Sequence, residues 1–129
     1  MLNMDEIKKI IDELGIISLE ANMKIAGFAV VSDSGKVVFQ TNNWDLTNQT
    51  NMILNVIKGD RSFVLNDVEF SIVETTTEGI VGTADSGMGH VIFTLFQGGV
   101  LVSYAMPQAD PPKALSFLKT FAMRLNGKV

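Results

Sequence analysis

Residues 80–93, "IVGTADSGMGHVIF", decide how this chain is to be read. Two apolar runs flank a glycine-rich centre that holds Asp85, Ser86 and His90, the only histidine. A phosphate-binding loop needs a lysine beside Ser or Thr and a helix directly after it, so that amides and helix dipole converge on the anion. Here "HVIFTLF" alternates as a strand, and the nearest lysine in sequence is Lys113. The spacing of Gly82, Gly87 and Gly89 also fails the dinucleotide fingerprint, which again requires a following helix. A nucleophile elbow needs glycine on both sides of the serine, and position 84 is Ala84. Three triad members within six residues of one turn could hardly converge as proton transfer demands. The stretch is therefore a β-turn between two strands, with Met88 exposed at its tip.

Outward from this hairpin, further strands appear on both sides. "SFVLNDVEFSIVETTT", "GIVGTA", "HVIFTLFQ" and "VLVSYAM" are parted by Asn66-Asp67, Glu78-Gly79, the glycine-rich turn and Gly98-Gly99. Upstream, "IAGFAVVSDSGKVVFQT" forms a hairpin over Ser32-Asp33-Ser34-Gly35, with Gly35 where positive φ is needed. Between them, Met52, Ile53, Val56 and Ile57 make one helical stripe, capped by Thr47 or Asn48 and ending at Gly59. Trp44, just before it, is expected to pack rather than bind.

The chain opens with Asn3 and Glu6 in a capping-box spacing, followed by Met4, Ile7, Ile11 and Leu14 at helical period. Gly15 is the expected stop, and residues 16–24 fit either a helical extension or a loop. At the other end Pro111-Pro112 open a last helix, with Ala114, Phe117, Leu118, Phe121 and Leu125 as its buried face. Lys113, Ser116 and Thr120 share the opposite side. The order helix, hairpin, helix, meander, helix predicts a single α+β domain over residues 1–129, an antiparallel sheet flanked by three helices.

Composition narrows the function. With 47% hydrophobic and 19% charged residues the chain is globular, and 129 residues suffice for one core. No apolar run approaches the ~18 residues of a membrane span. The acids and lysines of "MLNMDEIKKIIDELG" argue against a signal peptide. The absence of cysteine excludes disulfides and thiolate metal sites, so a cytoplasmic location without metal or cofactor is expected. Net charge is −4, unevenly spread. From Ser62 to Pro112 there are acids but no Lys or Arg, and from Lys113 onward there are cations but no acids. Four cations in one tail are too few for nucleic acid, which needs clustered charge to displace counterions.

The chain resembles the profilin family over about residues 27–125. "FAVVSDSGKVVFQT" is similar to the family's first hairpin, and "DLTNQTNMILNVIKGDRSF" to its second helix and the stretch after it. "FVLNDVEFSIVE" lies where profilins carry Phe-x-Leu-Gly-Gly-x-Lys-Tyr-x-Val-Ile. "IVGTADSGMGHVIF" lies at their glycine-rich hairpin, and "VLVSYAMP" precedes the final helix. The resemblance implies a monomeric, non-enzymatic protein that binds actin or an actin-like monomer and regulates filament assembly. By position, the binding face would comprise Glu69, Ser71 and Val73 on one strand with Asp110, Lys113, Ser116, Lys119 and Thr120 around the last helix. The chain departs from the family in ways that fit a divergent, archaeal profilin. Thr83-Ala84 replace a basic pair, and Glu69 and Glu74 stand where profilins carry cations, so phosphoinositide binding is not expected. Neither "NMDEIKKIIDEL" nor "RLNGKV" supplies the aromatics that clamp polyproline, so that ligand is not expected either. Two alternatives share the topology: a roadblock-like dimeric scaffold for small GTPases, and a small-molecule sensor with an internal apolar pocket.

Overall fold

Asn3 starts the first helix, α1 (Met4–Glu20), by accepting a hydrogen bond from the Glu6 amide at 3.2 Å. Gly15 does not end it, contrary to the sequence expectation. A lone glycine costs a helix only ~1 kcal/mol against alanine, and the turns on both sides are held by buried Leu14 and Ser18. The true stop is Asn22, which takes φ 54°. The Met23 amide donates to the Ser18 carbonyl and the Asn22 amide to that of Leu19, the paired bonds of a left-handed helix cap. The computed structural model describes residues 2–42 and 44–129.

Strands β1 (Ile25–Ser32) and β2 (Val37–Gln40) form the expected hairpin, with Gly35 at φ 85°. The second helix, α2 (Thr50–Lys58), begins later than the expected cap at Thr47 or Asn48. The Asp45 carboxylate takes the Thr47 amide at 2.9 Å, which spends that segment on a tight turn. Gln49 becomes the N-cap, without a side-chain bond, and Gly59 closes the helix at φ 123°. Next come β3 (Ser62–Leu65), β4 (Val68–Thr75), β5 (Gly79–Ala84), β6 (His90–Phe96) and β7 (Gly99–Ala105). Asn66 and Asp67, both at positive φ, make the two-residue turn between β3 and β4. The last helix, α3 (Pro111–Ala122), tightens into a 3₁₀ turn at Met123–Leu125.

The sheet is seven-stranded and antiparallel, in the order β2-β1-β7-β6-β5-β4-β3. One face is covered by α1 over β1 and β2 and by α3 over β5, β6 and β7. Ile7, Ile11, Leu14, Leu118 and Leu125 pack there on Val30, Val81, Ile92 and Leu101. Leu115 and Ala122 belong to the buried side of α3, whereas Phe117, expected in the core, is half-buried. On the other face Ile53 and Val56 of α2 close a second cluster, in which Phe63 stacks on Phe70 at 4.9 Å and meets Phe93 edge-on at 5.4 Å. Such ring pairs add about 0.5–1.5 kcal/mol beyond burial. Trp44 packs as expected, buried against Gly27 and 6.4 Å from Tyr104. Among the described residues no helix is long and apolar enough to cross a membrane.

Candidate functional site

The glycine-rich stretch is the β5–β6 hairpin. Gly87 at φ 81° and Gly89 at φ 129° reverse the chain, and the Gly87 amide donates to the Ala84 carbonyl. Met88 projects at the tip, 57% exposed. Asp85 and His90 are committed to different neighbours. The Ser71 hydroxyl donates to the Asp85 carboxylate at 2.7 Å, while His90 Nδ1 lies 2.9 Å from Thr83 Oγ1. The Asp85 amide also donates to the Glu69 carbonyl, so the loop is laced to β4. These bonds stiffen a surface. They do not align a nucleophile with a base. Among the described residues no group of three or more His, Asp or Glu could hold a metal ion.

That surface is the part of the α1–α3 face that the helices leave bare. In register, Ser71 of β4 stands opposite Thr83 of β5, and Thr83 opposite His90 of β6. Two positions along, Val81 and Ile92 pack under the helices, so the polar row shares their face. Glu69 lies on it as well, opposite Val64 of β3, and Ser62 stands opposite Ser71. A bulge between Ile72 and Glu74 then inserts Val73 as an extra residue, 62% exposed, and brings Glu74 opposite Val81.

α3 borders this strip. Lys119 donates to the Leu95 carbonyl at 2.6 Å, and Leu115 approaches Gly79, so one flank of α3 looks toward β5 and the end of β6. The other flank meets α1, where Arg124 pairs with Glu13 at 2.5 Å. Lys113, Ser116 and Thr120 are exposed on the crest. Asp110 is the N-cap of α3, accepting from the Lys113 amide at 3.3 Å. Thus Glu69, Ser71 and Val73 share one strand, and Lys113, Ser116 and Thr120 are exposed on the helix, where the Thr120 hydroxyl donates back to the Phe117 carbonyl, while Asp110 and Lys119 are tied to the fold.

Sequence reasoning missed Val64, Glu74, Thr83 and His90 as members of this face. In "SFVL" every residue but Ser62 is apolar, so alternation gave no sign that Val64 points outward, 50% exposed. The bulge that turns Glu74 has no sequence mark. Thr83 facing His90 was available from strand pairing alone, once the hairpin was recognised.

No protein-family model matches the chain. Whole-chain comparison finds relatives. Loki profilin-1 of a Lokiarchaeum species is 30% identical over 94% of this chain and 96% of its own. Thor profilin of a Thorarchaeota archaeon is 32% identical over 81% of this chain and 85% of its own. Among solved structures, Loki profilin-1 in its complex with rabbit actin superposes with a TM-score of 0.87, at 27% identity and covering 100% of both chains.

Proposed function

The chain belongs to the profilin family, and from that membership we propose that it binds an actin-type monomer, and so regulates filament assembly, through the bare sheet face beside α3. The observation that carries this reading is the likeness, over the full length, to a profilin solved in complex with actin. The chain's own surface supports it. Exposed Val64 and Val73 offer apolar anchors among Glu69, Ser71, Thr83 and His90, the mix of apolar centre and polar rim that protein interfaces favour. The sheet side carries only acids and the α3 side cations, a split that orients a partner during approach.

In this reading the protein is a cytoplasmic monomer that binds and does not catalyse. Polyproline and phosphoinositides are not among its proposed ligands. α1 presents no aromatic ring, and ion pairs Lys128–Glu6 and Arg124–Glu13 link α1 to the C-terminal segment. The similarity runs to profilins, and the roadblock alternative finds no support in it. The direct experiment is the assembly of pyrene-labelled rabbit actin. Excess protein should slow nucleation and sediment with actin monomers as a one-to-one complex. Unchanged assembly and no co-sedimentation at excess protein would refute the proposal.

A further inference from the structure

The α2 face of the sheet is not closed along its whole length. α2 packs on β3, at one edge. Where β1 begins and β7 ends, a cleft of about 280 Å³ stays open on this face. Buried Trp44, Leu65 and Phe70 form its floor, and half-buried Tyr104 stands with exposed Ala26 and Asn66 at its sides. Each ring is pinned by a partner of its own. Trp44 rests on Gly27, where a Cβ would lie 3.0 Å from its Cε3. Phe70 is stacked on Phe63 at 4.9 Å, and the Tyr104 hydroxyl is spent on the Met88 carbonyl. Rings held in this way do not fold into the space between them, so the cleft is preformed.

The lining selects the occupant. Among the described residues that line the cleft none is charged, so an ionised group entering it would lose water without gaining a partner. Three aromatic rings favour another flat ring, offset or edge-on. The Asn66 carboxamide has no hydrogen-bond partner among the described residues, and its backbone is set at φ 50° by the two-residue turn. It offers an N–H donor beside a C=O acceptor, the pair that reads the polar edge of a nitrogen heterocycle. The volume is smaller than most ligand pockets and fits one or two fused rings. We infer that this cleft binds a neutral nitrogen heterocycle of that size, such as a purine base, lodged among Trp44, Phe70 and Tyr104 with its polar edge on Asn66. All three rings sit in or against the cluster on the α2 face. The strip proposed to bind actin lies on the other face, so occupancy can be tested without actin.

Trp44 is the only tryptophan, so its fluorescence reports the cleft directly. The probe is adenine at neutral pH, titrated into the whole chain beside choline and cyclohexanecarboxamide, with amide NMR shifts to map the site. Adenine should quench saturably with a Kd below about 1 mM, and shift Gly27, Trp44, Leu65, Asn66 and Tyr104. Cyclohexanecarboxamide keeps an amide but lacks the flat ring, and should bind about fivefold or more weakly. Asn66→Gly keeps the left-handed backbone and removes the carboxamide, and should weaken adenine about fivefold. No saturation below about 1 mM, shifts confined to other residues, or equal binding of adenine and cyclohexanecarboxamide would each overturn the inference. So would an Asn66→Gly variant that binds adenine as tightly as the wild type. Choline binding more tightly than adenine would overturn it too, by assigning the three rings to an organic cation.

Discussion

Gly89 shows how closely the central hairpin is fitted. A Cβ there would sit 2.7 Å from the Ala105 carbonyl oxygen and 2.7 Å from the Tyr104 hydroxyl, and the residue holds φ 129°. Tyr104 in turn donates to the Met88 carbonyl, so the turn is clamped to β7. Gly89→Ala should therefore lose about 1–3 kcal/mol from backbone strain alone, read as a lower urea midpoint with unchanged slope. A loss under about 0.5 kcal/mol would mean that the hairpin relaxes freely. At the neighbouring positions the same hairpin turns polar groups to use. Asp85 and His90 are spent on Ser71 and Thr83, which makes the loop part of a surface and explains why residues typical of catalysis cluster in one turn.

Among the elements, α3 joins capping and exposure in one helix. Asp110 was expected on the binding face from family position, and the structure gives it a cap. The two roles separate by experiment. Asp110→Ala should cost about 0.5–2 kcal/mol of stability, and Asp110→Asn should restore most of it, because the amide oxygen still accepts from the Lys113 amide. Equal losses in both variants would show that charge matters more than the cap. Element type and order were legible throughout, since hydrophobic period and turn residues specify them locally. Two boundaries were not. The end of α1 rests on Asn22 in a left-handed conformation, which glycine normally signals and Asn takes less often. The start of α2 is set by the Asp45 turn, which competes with capping by Thr47. Half of the bare face was also hidden. Glu69, Ser71 and Val73 followed from position, whereas Glu74 reaches the face only through a bulge, and Val64 only because β3 lies beyond the cover of α3.

Across the whole molecule, the chain ends are joined on the α1 side. The Asn3 amide donates to the Lys128 carbonyl, and the Lys128 ammonium lies 2.6 Å from Glu6. Its hydrogen bond, then its charge, hold the Glu6 carboxyl below the usual 4.5. A lowered folded pKa stabilises above the unfolded value and loses that contribution as pH falls through the folded one. The thermal midpoint of the wild type should thus exceed that of Glu6→Gln at neutral pH by a small, salt-sensitive margin that closes on acidification. A margin that widens in acid would contradict the sign.

The same cover of helices that joins the ends on one side leaves the strip beside α3 open, and the account rests on that strip. The most direct test is the affinity of the Val73→Asp, Ser116→Arg double variant for rabbit actin monomers, measured beside the wild type. Both positions are exposed, so circular dichroism should show the fold unchanged. Loss of the apolar anchor and two added charges in the interface should weaken binding about tenfold or more, ~1.4 kcal/mol. A folded double variant that binds actin as tightly as the wild type would contradict the assignment of this face.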